Sequence, residues 1–203
     1  MGADEGRSVT DVENPPADAP EESPSQRSAR RRRLTIEWIV LIAAALIIAL
    51  LIKTFLFQAF YIPSESMVPT LKVGDRVLVN KLSYDLHDVH RGDIVVFKAP
   101  PEARSDGIDD LVKRVVGLPG DTVEAREDGR VYVNDRRLDE SYLPDGTTTT
   151  NLPVTKVPAG HVFMMGDNRS ASRDSRYFGP IKESDIIGRV FVRIWPPGSI
   201  GLM

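Results

Sequence analysis

The chain has 203 residues, with 26 Lys or Arg against 29 Asp or Glu, a formal net charge of -3 and no cysteine. That length allows one ordinary domain with appendages, and the missing thiols exclude disulfides, a thiolate nucleophile and a thiolate metal site, so any nucleophile must be an oxygen. The three histidines, His87, His90 and His161, lack the spacing of a helical zinc site and read as ordinary loop or strand residues, so neither a metal nor a cofactor is expected.

In chain order, residues 1 to about 29 combine Asp, Glu, Pro, Ser and Ala with almost no large apolar side chain. Such a composition cannot bury enough surface to offset chain entropy, and a disordered acidic tail over 1–33 is expected, ending in Arg27 and Arg30 to Arg33. A basic run can also bind nucleic acid, but such binding usually needs a basic patch on a folded surface and the rest of the chain offers none, so no nucleic-acid partner is expected.

Trp38 to Ile52 are fifteen residues without a charge, which span only ~22 Å of a hydrocarbon core ~30 Å thick. Continuing through Phe57, with the Lys53 ammonium reaching back to the interface on its alkyl stem, gives the full span. A membrane helix is therefore expected near 36–58, in a membrane segment 34–58. The five arginines ahead of it place the tail in the cytoplasm and everything after Phe57 outside. A cleavable secretory signal is the competing reading, opposed by the long preceding region and by bulky Phe57, Gln58 and Phe60 where a small-residue exit belongs. A buried core helix fits the length but explains neither the arginines nor the missing polar face.

From residue 59 to 203 the pattern changes to short β-branched runs broken by Gly, Pro, Asn and Asp, as in an all-β domain. The expected strands are 76–80, 93–98, 111–116, 122–126, 130–134, 161–165 and 186–195. Asp128-Gly129 between two alternating runs predicts a hairpin with a type I′ turn. Leu143 to Pro158, rich in Thr and Pro, reads as a loop or poorly formed edge. No internal repeat is apparent.

Three segments carry chemistry. In Phe60-Tyr61-Ile62-Pro63-Ser64-Glu65-Ser66-Met67-Val68-Pro69-Thr70-Leu71, two prolines stiffen the backbone around two serines. A serine nucleophile needs a positioned base and donors for the oxyanion it creates; Ser66 could attack, with its own N–H and the Ser64 hydroxyl as donors. Taken alone, two serines in a Pro-bounded turn explain the segment as well. In Leu111-Val112-Lys113-Arg114-Val115-Val116-Gly117, alternation puts Lys113 on one face with Leu111 and Val115, and Arg114 on the other with Val112 and Val116. Arg cannot lose its proton in a protein, whereas a desolvated Lys can, so Lys113 is the candidate base. A lysine escaping to solvent at a sheet edge is the alternative. The run Gly166 to Pro180 alternates small polar residues with three arginines and two aspartates, which reads as a loop held by side-chain hydrogen bonds and ion pairs, or simply as a solvated polar loop.

The order Pro63-Ser64-x-Ser66-Met67-x-Pro69-Thr70-Leu71, then Arg91-Gly92-Asp93-Ile94-Val95-Val96-Phe97, then Lys113 to Asp121, then Gly166-Asp167-Asn168-Arg169 with Ser172, Asp174, Ser175, Arg176 and Tyr177 resembles the type I signal peptidase family over most of residues 35–195. The resemblance implies a mainly β fold: one N-terminal transmembrane helix, then an extracytoplasmic catalytic domain of antiparallel, partly barrel-like sheets. It implies Ser66 as nucleophile, Lys113 as general base and Ser64 as side-chain donor of the oxyanion hole. Ser172 matches the serine that hydrogen-bonds the lysine, and Asp167, Asp174, Arg114 and Arg176 match the supporting ion-pair network. It also implies a membrane-bound monomer that needs no cofactor and removes signal peptides, with small residues first and third before the cut, from preproteins at the outer surface of a lipid bilayer. Two departures stand out. Glu65 lies where members often carry a small residue, tolerable if its carboxylate faces solvent, and the short stretch between Asp121 and Gly166 suggests only a small accessory region around 122–160.

Phe60, Tyr61, Ile62 and Pro63 are candidate walls for an extended substrate added along a sheet edge, or, read the other way, apolar residues that dip into lipid. The nine residues from Phe57 to Ser66 reach at most about 30 Å, which keeps the nucleophile near the membrane face. Two rivals share parts of this pattern. A soluble self-cleaving Ser/Lys peptidase would carry a DNA-binding region in place of Arg30 to Phe57, and a non-catalytic membrane-tethered β module would use the serines and lysine structurally.

Overall fold

A computed structural model describes residues 24–104, 108–150 and 152–203, without the side chains of 24–30 and 52–55. Most of the expected acidic tail, 1–23, therefore lies outside the described residues. Helix α1 runs Pro24–Phe55 and is apolar on every face after its first turns. Its stretch Arg31–Leu51 is, among the described residues, the one helix long and apolar enough to cross a membrane; at ~1.5 Å per residue it covers about 32 Å. Its apolar side chains, Trp38, Leu41, Leu46 and Leu50 among them, stand exposed, as a lipid-facing helix requires and a core helix does not. Near its start Arg33 Nε pairs with Glu37 Oε1 at 3.2 Å, one turn on, so the acidic residue of this stretch is partnered.

The helix ends sooner than its apolar pattern suggests. Phe57 was expected to continue it, yet Phe57–Tyr61 forms strand β1, paired antiparallel with β2, Arg76–Asn80. An unbroken apolar run leaves helix and strand equally open, and pairing with β2 decides it. The chain continues through a one-turn helix α2 (Ser83–Leu86), β3 (Ile94–Lys98), β4 (Asp110–Gly117), β5 (Thr122–Ala125), β6 (Val131–Val133), β7 (Arg136–Arg137), β8 (Thr155–Lys156) and β9 (His161–Met165). It closes with a one-turn helix α3 (Ser175–Phe178), β10 (Ile181–Lys182), β11 (Ile186–Trp195) and β12 (Gly201–Leu202). The domain is mainly β, as its pattern implied.

Two antiparallel sheets result. The larger has eight strands in the order β1-β2-β11-β3-β4-β9-β10, with β12 also on β11; the smaller is β7-β6-β5-β8. β3 sits centrally and is buried on both faces, which explains its unbroken apolar run. Ile94 and Val96 join one core cluster with Ile62, Met67, Leu71, Val77, Val79 and Val190, while Val95 and Phe97 join another with Val115, Val162, Met164 and Ile181. A third cluster, around Val116, Val123, Val131, Val157, Phe163 and Met165, serves the smaller sheet. That sheet lies between Thr122 and Lys156, the span where a small accessory region was expected.

Turn chemistry differs from expectation at one site. The β5–β6 hairpin forms, but of the pair Asp128-Gly129 only Gly129 has positive φ, at 70°. The Gly129 N–H donates to the Arg126 carbonyl at 2.9 Å, and the Arg126 N–H to that of Arg130 at 3.1 Å, so a longer loop with a bulge replaces the two-residue type I′ turn. The Asp128 carboxylate holds this form by accepting from the Arg130 N–H at 2.9 Å. Type I′ geometry occurs one hairpin later, where Asn134 and Asp135 have φ of 51° and 63° between the paired residues Val133 and Arg136.

Candidate active site

The segment after β1 folds back on itself. The Ile62 N–H donates to the Asp75 carbonyl at 2.9 Å, Gly74 N–H to Ile62 O at 3.0 Å, Val68 N–H to Glu65 O at 3.0 Å and Leu71 N–H to Met67 O at 2.8 Å. Ile62, Met67 and Leu71 anchor this loop in the core, and Ser66 lies between the anchors, 8% exposed. Ser64 Oγ is 3.3 Å from Ser66 Oγ.

β4 brings Lys113 to the same point. Its Nζ donates to Ser66 Oγ at 2.6 Å and to the Val112 carbonyl at 3.1 Å, within the reach that proton transfer needs. Only 3% of Lys113 is exposed. Burial therefore pulls its pKa from 10.5 down to about 8, against the opposing pull of the Asp174 and Asp167 carboxylates and with a smaller push from the Arg176 guanidinium. At pH 8 and above a large fraction of the amine is neutral beside a hydroxyl, which is what a base for Ser66 requires.

Arg114, next along β4, is fixed as a cation. Its Nε and Nη2 grip Asp167 at 2.9 and 2.7 Å, its Nη1 donates to the Gly92 carbonyl at 2.9 Å, and its guanidinium lies 3.9 Å from the centre of the Tyr142 ring. Asp167 Oδ2 also accepts from Thr70 Oγ1 at 2.5 Å, so one carboxylate joins the loop that carries Ser66 to β4. Asp174 is fully buried. It caps α3, accepts from Arg176 Nε at 2.8 Å and Nη2 at 2.9 Å, and takes the Gly166 N–H at 2.9 Å.

Two expected residues stand elsewhere than implied. Ser172 is buried near Ser66, but it makes no hydrogen bond to Lys113, and its Oγ has no partner among the described residues. It packs onto Gly166, where an added Cβ would collide with both the Ser172 side chain and the Ser66 carbonyl, while Lys113 Nζ directs its bonds to Ser66 and Val112. Ile62, proposed as a substrate wall, is 2% exposed and belongs to the core; of its neighbours Tyr61 is 58% exposed, Pro63 is exposed and Phe60 half-buried. Glu65 is exposed, as its tolerance beside the serines requires.

The structure adds residues that sequence reasoning gave no role. Asn168 N–H donates to Ser66 O at 3.1 Å and its Nδ2 to Glu65 O at 3.2 Å. Arg169 donates to Gly166 O at 3.1 Å and Thr149 Oγ1 at 2.8 Å. Arg169 Nη2 also lies 2.6 Å from Glu140 Oε1, a close ion pair without the alignment of a hydrogen bond. Thr70, Asn168 and Arg169 sat inside recognised motifs, whereas Glu140 and Tyr142 carried no signal because they come from the accessory region.

The family model described as "Signal peptidase, peptidase S26" matches residues 35–195. The chain is 39% identical over 196 residues to "Signal peptidase I" of Leptolyngbya laminosa, covering 95% of each chain. To "Probable signal peptidase I-2" of a Synechocystis species it is 44% identical over 160 residues, covering 78% of this chain and 72% of that one. A solved signal peptidase I from Enterococcus faecalis V583 matches 51% of this chain and 97% of its own at 32% identity, with a TM-score of 0.41, an overlap too small to argue from. The chain belongs to the signal peptidase family, peptidase S26, and is a serine peptidase hydrolase.

Proposed function

We propose that the chain removes signal peptides from exported preproteins at the outer face of the membrane, with Ser66 as nucleophile and Lys113 as general base. The observation that carries this reading is the 2.6 Å bond from a buried Lys113 Nζ to Ser66 Oγ. The neutral amine takes the Ser66 proton as Oγ attacks the scissile carbonyl, whose π electrons move to its oxygen. That oxyanion is held by the Ser66 N–H, which no described backbone carbonyl takes, and by the Ser64 hydroxyl. The Lys113 ammonium then returns the proton to the departing amine of the mature chain, leaving an acyl-enzyme. Water deprotonated by the same amine hydrolyses it.

An extended substrate has an edge to join. β9 pairs with β4 only from Arg114 to Gly117, so among the described strands Asp110 to Val112 has no partner on that side, immediately before Lys113. A peptide added there presents alternate side chains to the site, in keeping with small residues first and third before the cut. The arginines ahead of α1 favour a cytoplasmic N-terminus and an outer catalytic domain.

Ser66→Ala and Lys113→Met should each abolish preprotein cleavage in membrane vesicles while leaving the protein folded; ordinary cleavage by either variant would refute the dyad. Because the base must be neutral and its pKa is lowered only to about 8, kcat/KM should fall about tenfold per pH unit below that value. A rate profile level down to pH 5 is the outcome that removes Lys113 as the base.

A further inference from the structure

Asn168 makes two hydrogen bonds to consecutive carbonyls of the nucleophile loop. Its backbone N–H goes to Ser66 O at 3.1 Å, and its side-chain Nδ2 to Glu65 O at 3.2 Å. Those carbonyls belong to the two peptide units that meet at the Ser66 Cα. Each unit is planar, with C=O and N–H pointing opposite ways. Gripping the Glu65 carbonyl therefore aims the Ser66 N–H, and gripping both carbonyls fixes the Ser66 φ and ψ and hence the direction of the bond that carries Oγ. The same Glu65 carbonyl accepts from the Val68 N–H at 3.0 Å, and donors to a carbonyl polarise the N–H of its own peptide unit. The amide is itself oriented, because Ser170 Oγ donates to Asn168 Oδ1 at 3.1 Å and leaves Nδ2 as the end that faces Glu65.

We propose that Asn168 is a positioning residue that aims and polarises the oxyanion donor of Ser66 through the two flanking peptide planes. This rests on the reading of Ser66 as nucleophile with its N–H in the oxyanion hole. Asn168 touches no reacting atom; it acts on the geometry that the transition state uses and the bound substrate does not. Loss of its side chain should therefore lower kcat and leave KM nearly unchanged.

The test uses the full chain in detergent micelles with a signal-sequence peptide, comparing Asn168→Ala with Asn168→Leu, which keeps the branched shape but has no donor. Removing a direct oxyanion donor costs about 100- to 1,000-fold in kcat. Asn168 acts one bond removed and keeps its backbone contact, so both variants should lose about tenfold in kcat with KM within about twofold. The midpoint of the pH profile should stay near 8 in both, since Lys113 is untouched. Binding of an Ala-x-Ala peptide aldehyde, whose adduct with Ser66 carries the oxyanion, should weaken about as much as kcat does, while binding of the matching peptide alcohol holds. Ser170→Ala should shift kcat the same way by less.

A loss in the Ala variant that Leu restores, a rise in KM alone, or a displaced pH midpoint would each overturn the proposal in favour of packing, substrate contact or an effect on the lysine. Unchanged kcat in both variants, with Ser66→Ala inactive, overturns it while sparing the dyad. Cleavage by Ser66→Ala condemns the underlying reading instead.

Discussion

Burial of Lys113 opposes folding and, in the proposed mechanism, serves the chemistry. In the unfolded chain its amine titrates near 10.5, and in the fold near 8, a depression worth about 3 kcal/mol. Above both values the amine is neutral in either state and the penalty is absent. It grows as pH falls from 10.5 to 8 and is fully present at pH 7. Lys113→Met removes it, with the loss of two hydrogen bonds worth about 1 kcal/mol each set against that gain. The variant should thus be about 1 kcal/mol more stable than the parent at pH 7 and about 2 kcal/mol less stable near pH 11, where only the hydrogen-bond loss remains, a change of sign that thermal unfolding in detergent at both pH values would register. The neighbouring position behaves oppositely. Arg114→Lys keeps the charge but cannot span both Asp167 oxygens, Gly92 O and the Tyr142 ring, and should cost about 2–4 kcal/mol. Lys113 rather than Arg114 could be named as the candidate base from sequence because that choice turns on intrinsic proton affinity, and in the fold it is Lys113 that lies against Ser66 while Arg114 is tied to Asp167. The Ser172 rotamer and the burial of Ile62 were not, since both depend on which neighbours the fold supplies.

At the scale of elements, alternation located the long strands almost to the residue: 76–80, 161–165 and 186–195 stand as expected. β1 was hidden because its residues continue an apolar helix, and β7, β8, β10 and β12, two residues each, are too short to carry a period. The turn from β9 into the loop that begins at Gly166 is the tightest point of the site. The Gly166 carbonyl and N–H are held by Arg169 and Asp174, while its missing side chain admits Ser172 and the Ser66 carbonyl. Here glycine is required by close approach. Gly166→Ala should push the Ser66 loop away, lowering stability by about 2–4 kcal/mol and abolishing cleavage. Normal activity with a normal unfolding curve would show that the loop yields freely and that its clamping has no catalytic consequence.

Across the whole molecule, the partners of each strand were the least accessible information. β11 pairs with β2 and β3 through register shifts that join residues about 90 to 120 positions apart, and period-two alternation names faces without naming neighbours. The charge asymmetry, by contrast, was plain from the start. Residues 1–26 are acidic, five arginines follow, and an apolar helix comes next, an order that makes sense for a tether. All three core clusters draw only on residues from 60 onward, so a chain beginning at Phe57 retains every clustered residue. If the helix serves to hold enzyme and substrate on one surface, that shortened chain should cleave a soluble signal-sequence peptide with kcat/KM within about twofold of the full chain. It should lose about 100-fold or more on a preprotein embedded in vesicles, because effective concentration matters only for the embedded substrate. An equal loss on both substrates would mean that the helix supports the site itself, and no loss on either would remove tethering as its purpose.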